Sequence, residues 1–396
     1  MPSVYVYPLP SSLMGEWLYD NLTAGDHDNH FRTELELLHQ FRAMPQAPPA
    51  RADMLLVPFM LTQAFTRLRK GRSARNHAEL LAWNERVVAA MRAIGPYWDT
   101  RRRRHAVFAQ RCAGNNDLRR RSLAWRTWPP LWDDPEITLL CFEPIGLGRM
   151  GRGVLIPYGV GHGAGGLRCP AARRGADRRD PSAHAPREAT LVFAGSVETS
   201  RWRNRWVAAM RAHGPPRCRL VLFSKANRTQ RYSPTGLEEA MRTSSFSVQL
   251  QGHVGPRKAI FDSVRCGAVP VIASDVTPLA FSDVIDYSSF ALRVPVLANV
   301  SAVIAALLAI PTPALAHMRA AMNRAARLLD AGPRGRMAEV VLGQFMRVAG
   351  REVESSPRAT GTPLPVQRCV GPMIPAAKGC SAPPQITMPG HDRTRA

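Results

Sequence analysis

Residues 244–273 read SSFSVQLQGHVGPRKAIFDSVRCGAVPVIA. The apolar run at 246–250 predicts a buried strand, and the apolar spacing at 260–265 predicts a helix. Cys266-Gly267-Ala268 then turns into a second apolar run at 269–273, which predicts another buried strand. Strand, helix and strand in this order are typical of an α/β fold with a parallel sheet.

The loop between the first of these strands and the helix contains groups that favour an anionic ligand. Gly252 and Gly255 stand before a helix N-terminus, where backbone amides bind phosphate well. His253, Arg257 and Lys258 share the loop, and the two cationic side chains would add positive charge beside that phosphate. The sequence therefore predicts that these five residues bind a phosphorylated ligand.

Asp262 stands one turn into the predicted helix. Its carboxylate could accept hydrogen bonds from ribose hydroxyls, as acidic residues do in many nucleotide-binding folds. The plain alternative is that the loop glycines only form a turn and that Asp262 is a solvated helix residue. A loose glycine loop is a weak motif, so its spacing alone does not decide between the two interpretations.

The alternation of strands and helices continues on both sides of this stretch. Strands are predicted at 4–7, 52–59, 105–110, 137–142, 153–156, 191–194 and 220–224, and helices at 34–44, 77–94, 202–213, 300–310 and 314–329. An arginine- and proline-rich linker at 168–188 separates two α/β series. We therefore expect an N-terminal Rossmann-like domain at 1–185, a C-terminal ligand-binding one at 186–350 and a disordered tail at 351–396.

The charge of the chain suggests an acidic partner without identifying it. The 396 residues carry a formal net charge of +23, and 45% of them are hydrophobic, which is typical of a globular protein. Nearly all the basic residues are arginine, and no zinc finger, helix-turn-helix or RNA-binding motif accompanies them. We therefore expect no nucleic-acid partner, whereas sugar nucleotides and acidic glycans suit arginine equally well.

The cysteines and the N-terminus limit the remaining classes of protein. Seven scattered cysteines form no CxxC pair, so we expect no metal site, although one or two disulfides remain open. The start, MPSVYVYPLPSSL, does not resemble a signal peptide, and no stretch approaches the ~20 apolar residues that cross a bilayer. Taken literally, the chain is soluble; an incomplete gene model without its membrane anchor is the alternative.

The stretch that begins at Ser244 resembles the C-terminal part of the exostosin-like glycosyltransferases (glycosyltransferase family 47 type). Residues in register with the pattern of that family are Ser244, Phe246, Gly252, Asp262, Gly267, 269–271, Phe281, Ile285, Asp286 and Tyr287. Further matches occur in the same order at 5–7, Pro10, 52–53, 57–59, 96–98, His105, 156–158 and 193–195. The ordered set is far more specific than any single motif.

The sequence also departs from the family pattern at several functional positions. The arginine that the family has three residues before the acidic position is Ala259 here, and Arg257 and Lys258 stand near it but out of register. The second cysteine of the Gly-Cys-x-Pro-Val turn is Ala268, with Cys266 displaced by two residues. An arginine run replaces the glycine and aspartate of a Gly-Arg-Asp-His step.

Three residues are candidates for the base that deprotonates an acceptor hydroxyl. Glu143 follows a predicted strand, where the carboxyl ends of parallel strands form a ligand site. His105 stands at the head of a strand and is equally a candidate core histidine. His162 lies between two glycines, and an incidental histidine in a flexible turn is the more economical interpretation.

A second glycine turn adds candidates for binding a diphosphate. Gly195 follows a predicted strand, and Arg201, Arg203 and Arg205 come shortly after it. The family also has an arginine in this region, but the sequence does not show which of the three corresponds to it. Arg201 is the nearest of them to the turn, and we count it with Gly195 among the expected donor-binding residues.

The resemblance implies a GT-B-like α/β fold, with two Rossmann-like domains facing a cleft. It implies an inverting glycosyltransferase that transfers a sugar from a nucleotide-sugar, a UDP-sugar by preference, to a glycan or glycoprotein acceptor without a cofactor. It also implies the Golgi membrane as location, and leaves a homo- or heterodimer open. The alternative is a non-catalytic protein of the same fold that binds glycans or other polyanions through its arginine-rich surface.

Overall fold

A computed structural model describes most of the region that the sequence predicts to be folded. The described residues are 2–15, 32–60, 74–111, 134, 136–143, 152–159, 169, 187, 189–197, 201–222, 234–250, 257–274 and 277–350. The predicted tail at 351–396 and all of the linker except Cys169 and Arg187 lie outside these ranges.

The first half of the chain forms a parallel sheet whose spatial order follows the chain. Its five described strands are β1 (Val4–Val6), β2 (Met54–Val57), β3 (His105–Arg111), β4 (Thr138–Glu143) and β5 (Gly153–Leu155). The helices among the described residues of this half are α1 (Ser11–Met14), α2 (Thr33–Ala43), α3 (Ala74–Ile94) and α4 (Tyr97–Thr100), and a 3₁₀ turn covers Arg102–Arg104. The strands are buried apolar runs because helices cover both faces of such a sheet.

The second half forms another parallel sheet, in which the order of the strands reverses. Its strands among the described residues are β6 (Ala189–Gly195), β7 (Cys218–Leu222), β8 (Ser244–Leu250), β9 (Val269–Ala273) and β10 (Leu292–Val294). Their spatial order is β10-β9-β8-β6-β7. The order reverses between β6 and β8, and in doubly wound folds ligands bind beyond the carboxyl ends of the two strands at such a switch point.

Helices connect the strands of this second sheet and continue beyond it. In the described part of the chain these helices are α5 (Arg201–His213), α6 (Pro234–Arg242), α7 (Lys258–Arg265), α8 (Val300–Leu308), α9 (Thr312–Ala326) and α10 (Met337–Ala349). Helix α7 begins after Arg257, whose backbone is extended, and ends before Gly267, whose φ of 76° suits glycine. Arg257 therefore lies at the N-terminal end of α7, directly after the loop that leaves β8.

Helix α10 follows the second sheet but packs on the first one. It contacts α2, β2, β4 and β5, and its Phe345 is fully buried in a cluster of apolar side chains from both halves. Burial of such a side chain stabilises the fold by about 1.5–3 kcal/mol. Gln40 of α2 adds polar contacts to the segment before α10: its Nε2 donates to the carbonyl oxygens of Asp330 (3.1 Å) and Gly332 (2.6 Å). The two halves are thus joined by a continuous core.

The fold class predicted from the sequence, α/β with two Rossmann-like units, is confirmed by the two parallel sheets. The strands divide between residues 155 and 189, while the exact domain limits stay predictions. The sequence prediction missed α6 and the three-residue strand β10. The helix predicted at 314–329 corresponds to α9, and the helix that follows it, α10, packs across to the first half.

In the described part of the chain, no single helix is both long and apolar enough to cross a membrane. Helices α8 and α9 together have the length and apolar composition of a membrane span, but the chain bends by 95° between them.

Candidate functional site

Two arginines meet at the switch point of the second sheet. Arg257 donates from Nη2 to the carbonyl oxygen of Ala194 at the end of β6, and from Nη1 to that of Leu250 at the end of β8, both at 3.1 Å. Arg203 of α5 donates from Nη1 to the carbonyl oxygen of Ser196 (2.6 Å) and from Nη2 to that of Leu250 (3.4 Å). We call Arg203 and Arg257, together with the strand ends they contact, the arginine cradle.

The cradle concentrates positive charge away from water. Burial, and then the positive charge of Arg203, lower the pKa of Arg257 to about 9, and burial also lowers the pKa of Arg203. Arginine stays protonated in proteins, so the lowered pKa values mean that burial destabilises both cations and that the charge of Arg203 further destabilises Arg257. The Phe193 ring lies beneath both, with its centroid 5.9 Å from Cζ of Arg203 and 6.0 Å from Cζ of Arg257. A bound anion would stabilise both guanidinium groups.

Gly195, the last residue of β6, lies against both guanidinium groups. A Cβ atom at this position would lie 3.4 Å from Nη2 of Arg257 and 3.5 Å from Nη1 of Arg203. It would also lie 3.0 Å from the Phe193 ring, which is closer than most real Cβ contacts. Because Gly195 has no side chain, the two guanidinium groups and the Phe193 ring can approach the end of β6 this closely.

Lys258 and Asp262 of α7 form an ion pair in which the carboxylate is buried. Lys258 donates from Nζ to both carboxylate oxygens of Asp262, at 2.7 and 2.9 Å, and only 2% of the Asp262 side chain is exposed. Burial raises the pKa of Asp262, and the charges of Lys258, Arg265 and Arg257 act in the opposite direction. The carboxylate stays ionised in our interpretation, because the bidentate contact with Lys258 compensates its burial.

Glu143 occupies the corresponding edge of the first sheet. It is the last residue of β4, and its Oε1 accepts a hydrogen bond from the Tyr158 hydroxyl at 3.1 Å. Tyr158 follows β5, and its ring stacks on Phe142 with a centroid separation of 5.2 Å. Both side chains are buried, so packing fixes the position of this carboxylate.

Residues 169–308 match the family model of the exostosin GT47 domain. The chain carries an exostosin GT47 domain. The match includes every strand of the second sheet, both cradle arginines and the Lys258–Asp262 pair, and it confirms the resemblance indicated by the sequence. The coarse function follows from it: this is a glycosyltransferase domain.

Comparison with other proteins adds only remote similarities. No curated protein sequence matches the chain. A glycosyltransferase from Rickettsia africae aligns with 88% of this chain and 98% of its own, at 9% identity and a TM-score of 0.43. A UDP-forming α,α-trehalose-phosphate synthase from Burkholderia xenovorans aligns with 85% of this chain and 84% of its own, at 13% identity and a TM-score of 0.39. Both are too remote to support an inference about this chain.

The structure does not bring His105 to the carboxyl edge of the first sheet. His105 begins β3, and its strand neighbours place it roughly 20 Å along the sheet from Glu143. It is buried, with Nε2 2.8 Å from the Tyr7 hydroxyl and Nδ1 3.0 Å from the carbonyl oxygen of Arg101. Burial lowers its pKa to about 4. A structural role explains His105 better than the catalytic role predicted from the sequence.

Four residues that the sequence predicted to belong to the site lie outside the described residues. They are His162, Gly252, His253 and Gly255, so their roles stay predictions. Arg201 begins α5, but its side chain is not described either.

The structure singles out Arg203 among the three arginines that follow Gly195. It shares the buried stripe of α5 with Trp206, Val207 and Met210. An arginine on the apolar stripe of a helix is unusual unless it has a buried partner. Arg203 has helical i, i+3, i+4 and i+7 spacing to Trp206, Val207 and Met210, and this spacing could have distinguished it from Arg201 and Arg205 in the sequence.

No group of three or more His, Cys, Asp or Glu side chains that could hold a metal ion occurs in the part of the chain that the structure describes.

Proposed function

We propose that this protein is an inverting glycosyltransferase that uses a nucleotide-sugar donor, a UDP-sugar by preference, and a glycan or glycoprotein acceptor. One observation carries the proposal: two arginines, Arg203 buried and Arg257 half-buried, lie together at the switch point of the GT47 domain, with Gly195 in contact distance of both. A diphosphate is the group of a nucleotide-sugar that fits such a cradle, because guanidinium binds phosphate bidentately.

The cradle would act on the leaving group. In the reaction, the bond from the anomeric carbon to the diphosphate breaks while the acceptor oxygen bonds to the opposite face of that carbon. Negative charge then grows on the diphosphate, and fixed cations in a site shielded from water stabilise such charge strongly. Arg203 and Arg257 would supply this positive charge from the protein, so we expect transfer to need neither a metal ion nor a cofactor.

Arg257 would replace the arginine that the family places at the position of Ala259. Ala259 lies within α7, and its carbonyl oxygen accepts a hydrogen bond from the Gln249 side chain at 3.1 Å. Arg257, two residues earlier, reaches both strand ends of the switch point. A displaced arginine can therefore serve the same phosphate, and the change at Ala259 is compatible with activity.

Glu143 is the base that we propose for the acceptor. It would take the proton of the attacking hydroxyl, and its place at a strand end fits the usual location of ligands in α/β sheets. Tyr158 would orient the carboxylate through its hydrogen bond. His162 remains the alternative base predicted from the sequence.

A turnover assay tests the proposal. Purified protein is incubated with each of a panel of UDP- and GDP-sugars and candidate oligosaccharide acceptors, and released nucleotide diphosphate is measured. We expect release from a UDP-sugar by the native protein and by Arg211→Ala, an exposed control on α5. Arg203→Ala and Arg257→Ala should each reduce the rate by about 10- to 100-fold, since each removes a charge-assisted contact. Equal rates in all four proteins would refute the role of the cradle.

The second candidate function is non-catalytic binding of a glycan or another polyanion, favoured by the net charge of +23. Binding to heparin that weakens steeply with salt, without nucleotide binding, would support it over the catalytic proposal.

We also propose that the chain matures in an oxidising, lumenal compartment such as the Golgi. Cys169 pairs with Cys266, and Cys141 is disulfide-bonded as well. Disulfides persist in such compartments and are rare in the cytosol.

A further inference from the structure

The Cys169–Cys266 disulfide joins the segment between the two sheets to the end of helix α7. Cys266 directly follows the helix, and its backbone N–H donates to the carbonyl oxygen of Asp262 at 2.9 Å. The opposite end of the same helix carries Arg257. The disulfide therefore fixes the helix that brings one of the two cradle arginines to the switch point.

Arg187 provides a second attachment at the same end of α7. Its Nη1 donates to the carbonyl oxygens of Ser244 (2.9 Å), Met241 (3.1 Å) and Cys266 (3.4 Å). Gly267 lets the guanidinium come this close, because a Cβ atom there would lie 2.6 Å from Nη2 of Arg187. The segment before the second sheet thus holds the C-terminal end of α7 by a covalent bond and by hydrogen bonds.

The position of α7 decides the geometry of the cradle. Arg257 reaches Ala194 on β6 and Leu250 on β8 at the same time, both at 3.1 Å. A shift of the helix by about 1 Å would stretch these contacts beyond hydrogen-bond distance. Errors of that size in the position of a binding group reduce function by up to about 100-fold.

We propose that the Cys169–Cys266 disulfide is a positioning element of the donor site: it holds α7 so that Arg257 is preorganised for the diphosphate of the donor. This inference rests on the proposed function for its ligand. Reduction by a dithiol breaks the Sγ–Sγ bond and yields two thiols, while the dithiol is oxidised to its own disulfide. Donor binding then weakens, because the free helix end must be ordered when the ligand binds.

Calorimetric titration with UDP tests the proposal. The native protein is compared with the double variant Cys169→Ser, Cys266→Ser at a temperature where circular dichroism shows that both are folded. The control is Cys141→Ser, which removes a disulfide-bonded cysteine of the first sheet. We expect an affinity loss of about 10-fold or more in the double variant and less than about 2-fold in the control. Unchanged affinity in the folded double variant overturns the proposal.

Two further measurements separate this inference from the proposed function. If the folded native protein does not bind UDP, the proposed function fails, and amide hydrogen exchange at 258–265 tests the positioning role alone. Faster exchange there in the double variant than in Cys141→Ser supports the role; equal exchange overturns it. If the double variant does not fold, folded Cys141→Ser reduced by dithiothreitol takes its place, with oxidised Cys141→Ser as the reference, because this variant already lacks the Cys141 disulfide.

Discussion

Replacing Gly195 by alanine should separate donor binding from folding. Gly195 is not among the glycines with positive φ, so alanine can adopt its backbone conformation. The added methyl group would lie 3.4 Å from Nη2 of Arg257 and 3.5 Å from Nη1 of Arg203, in the space where a phosphate oxygen would contact both. Loss of one charge-assisted hydrogen bond costs about 1.5–3 kcal/mol, which corresponds to roughly 10- to 100-fold in affinity.

The assay is calorimetric titration with UDP, together with thermal unfolding of each protein. The stability of Gly195→Ala should change by less than about 1 kcal/mol, because the smaller entropy of the unfolded chain offsets the close contact with Phe193. Gly343→Ala in α10 is the matched control, since a Cβ atom there meets nothing within 4 Å. It should leave UDP affinity unchanged. A folded Gly195→Ala that binds UDP as tightly as the native protein would refute our placement of the diphosphate.

The remaining predictions concern stability. His105 has a folded-state pKa of about 4, below its unfolded value, so its contribution is complete above about pH 6.5 and is lost as the pH falls toward 4. Unfolding by urea should show a loss of about 1 kcal/mol between pH 7.5 and 5.5 that His105→Asn lacks; equal losses would contradict this. Asn84 is fully buried in α3 without a hydrogen-bond partner among the described residues, so Asn84→Leu should raise stability by about 1–2 kcal/mol, whereas exposed Asn204→Leu should not. A lower melting temperature for Asn84→Leu would indicate a partner outside those residues. The Cys169→Ser, Cys266→Ser pair should lose about 2–5 kcal/mol, measured by denaturant unfolding, because it opens a loop of 97 residues; a loss below about 1 kcal/mol would contradict this.

Local patterns predicted the sheets because their strands are buried apolar runs bounded by turns. The run at 269–273, for example, became β9 with the same limits. Strand β10 carries only three residues, too few to show a period, and its position depends on packing against β9. Helix α6 is amphipathic, and its apolar spacing could have predicted it. The contact of α10 with the first sheet depends on tertiary packing between distant parts of the chain.

The candidate site shows what the sequence could not decide. Arg257 was expected beside a phosphate, but only the structure shows that it spans β6 and β8 together with Arg203. For His105, the sequence favoured neither a catalytic base nor a core residue. Its partners Tyr7 and Arg101 lie outside β3, so only the structure shows that they contact the ring. The Lys258–Asp262 pair has the helical i, i+4 spacing, yet its burial could not be read from that spacing.

Titration with UDP, UMP and uridine is the most direct test of the arginine cradle. We predict that the native protein binds UDP and that Arg203→Ala and Arg257→Ala each weaken UDP binding by about 10- to 100-fold, with a much smaller effect on uridine. In the double variant Arg203→Ala, Arg257→Ala, the loss of binding free energy for UDP should be smaller than the sum of the two single losses, because the two guanidinium groups share one ligand. Native protein that binds UDP no more tightly than uridine, or variants that bind UDP as the native protein does, would contradict a diphosphate site at the switch point.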